Sequence, residues 1–193
     1  MDGRHGAKQP HRFDPTRASA LDDDAREAWL PAEDLFALLD APEHARVVDF
    51  GAGTGHLTFK LAELRKDLHI FAYDEQEPML ERLRERKSLV HATNVEVLDP
   101  AGFADLEDVD AILAVNVLHE LGDEALESLV ESLDARGTVL FADWNAIERP
   151  VGPPRDHVYT VEQAKKRLAE AGLVVRLERL FPYHYVMLAT LYR

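Results

Sequence analysis

Short, nearly unbroken apolar runs recur along this chain at Val47-Val48-Asp49-Phe50, Ile70-Phe71-Ala72-Tyr73, Val95-Glu96-Val97-Leu98, Ala111-Ile112-Leu113-Ala114-Val115 and Val139-Leu140-Phe141-Ala142. Runs with so little alternation are expected of strands whose two faces are both covered by helices. Between them the spacing switches to that of one helical face. Leu57, Leu61 and Leu64 form one stripe, Pro78-Met79-Leu80 opens a charged helix, and Ala125, Leu126, Leu129, Val130 and Leu133 form another. Asp123 is the predicted cap of that last helix and Gly137 its predicted end, while Thr160-Val161-Glu162-Gln163 reads as a capping box and Gly172 as a stop. Leu173 to Leu180 and Tyr185 to Tyr192 read as two strands whose short connection, Phe181-Pro182-Tyr183-His184, requires a hairpin.

Upstream, Leu21, Ala25, Ala28 and Trp29 mark a helix whose start is supplied with Asp22, Asp23 and Asp24. Pro31 fits the first position of a second helix, with Leu35, Leu38 and Leu39 on one face and Pro42 at its end. The expectation is one domain over residues 1–193. Residues 1–10 would be a mobile terminus, 11–43 a helical cap and 44–193 a doubly wound α/β core.

Composition narrows the function. A formal net charge of −14 with no Lys/Arg-rich run argues against nucleic acid as substrate. Cysteine is absent, which removes disulfides, thiolate metal sites and cysteine nucleophiles. No apolar stretch is long enough to span a membrane and no signal-peptide pattern is present, so a cytoplasmic protein is the expectation. His119-Glu120 begins like H-E-x-x-H, but Asp123 stands where the second histidine would be, and no metal site is expected.

The stretch Asp49-Phe50-Gly51-Ala52-Gly53-Thr54-Gly55-His56-Leu57 places an acid, three alternating glycines and a helix start directly after a strand. Glycines there allow positive φ and leave backbone open to a ligand. The dinucleotide fingerprint G-x-G-x-x-G is not met, because His56 takes the place of its last glycine, and Asp49 would repel a pyrophosphate. The pattern resembles the first motif, [DE]-x-G-x-G-x-G, of class I S-adenosylmethionine-dependent methyltransferases. The resemblance runs from about His11 to the end. It implies a Rossmann-like, mostly parallel seven-stranded sheet with a C-terminal antiparallel hairpin, helices on both faces and two leading helices. An NAD-linked oxidoreductase is the less favoured reading, and a non-catalytic S-adenosylmethionine-binding sensor or scaffold the main alternative.

The resemblance also implies a site. Asp49, Gly51, Ala52, Gly53 and Gly55 would cradle S-adenosyl-L-methionine, with Asp74 and Glu75 at the ribose. Asp74 follows the last glycine by the interval at which an acid meets a ribose in βαβ sites. Met79 and Asp99 would lie near the adenine, and Asp99 reads equally as a turn residue before Pro100. Asn116 would border the methionyl end. Methyl transfer needs mainly proximity and orientation, with a base only where the acceptor loses a proton. His119 is the candidate base. Trp144, His157, Tyr159, Tyr183 and His184 would line the pocket of a small-molecule acceptor. Arg12 and Phe13, on the leading segment, would either line that pocket or cover a sheet edge. The stretch from Ile147 to Pro154, with three prolines and a glycine, would be a lid or pocket wall. The acceptor's identity and the oligomeric state are not written in the sequence.

Overall fold

The computed structural model describes residues 27–192. Its strands are β1 (Arg46–Phe50), β2 (His69–Tyr73), β3 (Val95–Leu98), β4 (Val109–Val115), β5 (Leu133–Trp144), β6 (Leu173–Leu180) and β7 (His184–Leu191), forming one sheet in the order β3-β2-β1-β4-β5-β7-β6. β1 to β5 run parallel, and β7 is antiparallel to both β5 and β6. The expected doubly wound sheet with a terminal hairpin is therefore the observed one. The chain runs outward from β1 to β3 and then returns to β4 on the other side of β1. Ligands of open α/β sheets bind at such a switch point, outside the carboxyl ends of the strands.

Successive strand residues point to opposite faces, which divides the core in two. Val47, Ile70, Ala111 and Leu113 pack with α1 (Ala32–Leu39), α2 (His56–Leu64) and α3 (Glu77–Leu89). Val48, Phe50, Ile112 and Phe141 pack with α4 (Pro100–Ala104), α5 (Asp123–Glu131) and α6 (Val161–Glu170). Leu35, Leu80, Leu83 and Leu129 are completely buried, so the helical stripes legible in the sequence face the sheet. The capping box at Thr160 and Gln163 forms in both directions, and Gly172 takes a left-handed conformation just past the end of α6.

Several boundaries differ from expectation. Pro31 caps α1 from outside, with ψ near the extended value, instead of opening the helix. Gly122 caps α5, leaving Asp123 as its first residue. Gly137 does not end that helix. α5 stops at Glu131, where the Ser132 hydroxyl donates to the Leu129 carbonyl, and Leu133 already pairs with Val109 as part of β5. A Cβ on Gly137 would lie 2.7 Å from the Val109 carbonyl oxygen, so this glycine permits close strand approach beside a register shift. β7 begins at His184, one residue early, and the short helix α4 was not foreseen. The predicted mobile residues 1–10 and most of the first leading helix lie outside the described residues, as do Arg12 and Phe13.

Candidate functional site

Gly51, Gly53 and Gly55 all have positive φ, and between them they turn the chain from β1 into α2. The amides of Gly51 and Ala52 both donate to the Tyr73 carbonyl at the end of β2. The three glycines are not equivalent. A Cβ on Gly51 would sit 2.4 Å from Val117 Cγ1, and one on Gly55 would sit 2.4 Å from the Phe59 ring and 2.8 Å from Leu83. Those two lack side chains because the protein's own packing requires it. Gly53 instead donates its N–H to Asp74 Oδ2 at 3.0 Å, a buried bond linking the glycine turn to the acid after β2.

Two buried carboxylates flank this turn. Asp49 accepts from the Thr58 hydroxyl at 2.5 Å, and burial, reinforced by the charge of Asp74, pushes its pKa up to about 6. Asp74 also accepts from the Gln76 amide, and burial raises its pKa too, with Glu75 and Glu120 adding to the rise. Glu75 is exposed beside it. Met79 is 1% exposed, sealed within the fold below α3's first turn. Asp99 is exposed and caps α4 through the Gly102 amide, the turn role weighed for it from the sequence.

On the other side of the switch point, Asn116 leaves β4 with φ 59°, and its amide donates to the Ala142 carbonyl. Its side-chain oxygen is buried without a hydrogen-bond partner. Three residues on, His119 lies in a charged cluster. Its Nδ1 is 2.8 Å from Asp143 Oδ1, its amide donates to Asp143 Oδ2, and its Nε2 is 3.4 Å from Glu120 Oε1. Burial opposes charging the ring, but Asp143 and Glu120 outweigh it and push the pKa up to about 10. The imidazole is therefore protonated at neutral pH, and a base role would require it to lose a proton that two carboxylates hold. Asp143 was missed from the sequence, although, like Asp49 and Asp74, it is an acid at the carboxyl end of a parallel strand.

The aromatic candidates gather at the ends of β5 and β7, but Trp144 is largely enclosed by protein. Its ring has His184 at 4.1 Å, Trp29 at 6.4 Å and the Arg149 guanidinium at 5.3 Å, and a Cβ on Gly152 would touch it at 3.0 Å. Tyr183 meets Trp29 at 5.5 Å and accepts from the Asn145 amide through its carbonyl. Tyr159 carries the Arg167 guanidinium over its ring, and His157 is exposed in a 3-10 turn, Arg155–His157. The stretch from Ile147 to Pro154 is folded on itself. Arg149 donates to the carbonyls of Asn145, Ile147 and Pro153, and Arg155 to that of Ala146.

A further contact had no sequence signal. Glu27, in the leading segment, accepts from the Ala32 amide, meets His56 Nε2 at 3.1 Å and pairs with Lys60. Although burial opposes it, these partners hold its pKa down to about 2. One carboxylate thus serves the first turns of both α1 and α2.

The residues at the crevice fit the cofactor implied by the glycine motif. Asp49, Asp74 and the Asn116 oxygen are all acceptors, and S-adenosylmethionine brings donors, an ammonium and two ribose hydroxyls. Two hydrogen bonds leave Asp74 with acceptor capacity. The Asn116 oxygen is a buried acceptor awaiting a donor. A pyrophosphate would meet carboxylates instead.

Comparison with known proteins agrees. A family described as "Methyltransferase domain" matches residues 48–139. Trans-aconitate 2-methyltransferase of Mycolicibacterium gilvum (strain PYR-GCK) is 34% identical over 89 residues, covering 46% of this chain and 33% of that protein. The chain spans 58% or less of the length of the curated relatives it matches. A SAM-dependent methyltransferase of Aquifex aeolicus superimposes with a TM-score of 0.85 at 28% identity, over 92% of this chain and 98% of that one. An O-methyltransferase from neocarzinostatin biosynthesis, in complex with S-adenosyl-L-homocysteine and 1,4-dihydroxy-2-naphthoic acid, shares the fold. Its TM-score is 0.67 at 20% identity, over 92% and 59% of the two chains.

Proposed function

We propose that this chain, which matches a methyltransferase domain over residues 48–139 and superimposes on a SAM-dependent methyltransferase, is a class I S-adenosyl-L-methionine-dependent methyltransferase that transfers a methyl group to a small-molecule acceptor by in-line displacement. The observation that carries the proposal is the buried bond from Gly53 to Asp74, which fixes the glycine turn against the acid placed for a ribose. When bound, the cofactor supplies an activated methyl group on a sulfonium that departs as a neutral thioether. The protein's task is then to hold and orient two molecules and exclude water.

Asp49 and the Asn116 oxygen would hold the ammonium end, with Ala52 and Gly53 presenting backbone. Asp74, with Glu75 beside it, would take the ribose hydroxyls, and the Asp99 oxygen not occupied by the Gly102 amide would face the adenine amine. His119 would serve as a fixed positive charge, because Asp143 and Glu120 both stabilise its protonated form. Tyr159, Tyr183 and His157 would border the acceptor, and Trp144 and His184 would form the floor beneath them. Small molecules are also what two relatives handle by name, trans-aconitate in one and 1,4-dihydroxy-2-naphthoic acid in the other. The net charge of −14 supports a reading without nucleic acid partners, the absence of cysteine suits a reducing cytoplasm, and no helix among the described residues is long and apolar enough to cross a membrane.

The test is release of S-adenosylhomocysteine when the protein is incubated with S-adenosylmethionine and a fractionated metabolite extract. Turnover in at least one fraction, absent without protein, is the expected result. Tight cofactor binding with no turnover in any fraction would instead favour a sensor or scaffold.

A further inference from the structure

Of the three charged groups that follow β4 and end β5, one reaches solvent. The Asp143 side chain is 0% exposed and that of His119 is 3% exposed, whereas that of Glu120 is 22% exposed. Glu120 is also close enough to Asp74 for its charge to bear on that carboxylate. It therefore meets the buried ion pair through His119 and lies within electrostatic range of the acid proposed for the ribose. Asp143 fixes the His119 ring through both the ring nitrogen and the backbone amide, and the ring's other nitrogen faces Glu120. A charge held in this way orients the carboxylate in front of it while staying out of reach of a bound molecule.

We propose that Glu120 is the residue that holds the methyl acceptor, its carboxylate taking hydrogen bonds from an O–H or N–H of an uncharged or cationic molecule, with His119 and Asp143 as positioning residues behind it. This rests on the methyltransferase reading. An ionised carboxylate is an acceptor only, so it selects for donors. The surrounding charges select in the same direction. Asp74 and Glu75 face the crevice from the end of β2, Asp143 lies behind His119, and the nearby cations among the described residues, His119, Arg149 and Arg167, are already engaged, Arg167 with the Leu121 carbonyl and Asp123. His119 lies between its two carboxylates, and Arg149 binds three loop carbonyls and covers Trp144. An acceptor with several carboxylates, of the kind for which the Mycolicibacterium gilvum relative is named, would meet like charge at Glu120.

The test uses two probes of one shape and opposite charge, benzylamine and benzoate. Each is titrated by NMR into protein first saturated with S-adenosylhomocysteine, whose own binding is measured calorimetrically. Benzylamine should bind about tenfold more tightly than benzoate, and Glu120→Gln should remove that preference while leaving the S-adenosylhomocysteine titration unchanged. Glu120→Asp, which keeps the charge at shorter reach, should keep part of it. Benzoate binding as well as benzylamine, no binding of either probe, or a preference that survives in Glu120→Gln would overturn the proposal. Failure of S-adenosylhomocysteine itself to bind the wild-type protein would instead remove the methyltransferase reading beneath it.

Discussion

Gly51, Gly53 and Gly55 look interchangeable in the sequence and are separated by what surrounds them. Val117, Phe59 and Leu83 occupy the space where side chains on Gly51 and Gly55 would go, and both positions have positive φ. Gly51→Ala and Gly55→Ala should therefore destabilise the fold by about 1–3 kcal/mol, seen as lower denaturant midpoints. Gly53 shares the positive φ, so Gly53→Val should also lower the denaturant midpoint, and its mark on the ligand is loss of cofactor binding in the protein that remains folded. The motif was legible because residue types and spacing carry it, but the contact with Val117 comes from a loop 66 positions later and was not. Asp49 adds a pH dependence. Its pKa of about 6 lies above the ordinary value near 3.8, so ionising it costs the empty fold stability as pH rises through that interval, and a bound cation reverses the cost. Cofactor affinity should fall about tenfold between pH 7 and pH 5, and Asp49→Asn should bind more weakly with a flatter profile. Equal affinity of the wild type at both pH values would remove Asp49 from contact with the ligand's charge.

At the scale of elements, capping and periodicity were the readable features. Thr160 and Gln163 form the predicted box, so Thr160→Ala should cost about 1 kcal/mol by loosening the first turn of α6, measurable by urea unfolding. The end of α5 was misread because Gly137 has the residue type of a helix stop, whereas its role is a close approach to Val109 across β4 and β5. The proline-rich stretch after β5 was readable as a loop but not as a folded one. What shapes it is a set of side-chain bonds from Arg149 to three carbonyls, and composition gives no sign of such bonds. Arg149→Ala should open this loop while leaving the sheet intact, with amide exchange over residues 147–153 faster by about tenfold and that of β4 unchanged.

For the molecule as a whole, the alternation of apolar runs with helical stripes was enough to give helix-linked strands and the closing hairpin, because connection length decides both, whereas the seven-stranded doubly wound sheet came from the family resemblance and its strand order from the structure. The buried ion pair of His119 and Asp143 was not readable, since its members are 24 residues apart on neighbouring strand ends. It leaves a signature in overall stability. The raised histidine contributes stability that is complete below about pH 6.5 and is lost as pH rises through about 10. The melting temperature of the wild type should fall across that interval, and that of His119→Gln should fall less. The central claim is that the crevice where the chain reverses, between β1 and β4, takes S-adenosylmethionine. Calorimetric titration of the wild type, of Gly53→Val and of Asp74→Ala with S-adenosylhomocysteine, and of the wild type with NAD, tests it most directly. Saturable heat with S-adenosylhomocysteine, none in Gly53→Val, affinity lower by about ten- to a hundred-fold in Asp74→Ala and no heat with NAD are the predicted results. Saturable binding of NAD, or S-adenosylhomocysteine binding undiminished in both variants, would contradict it.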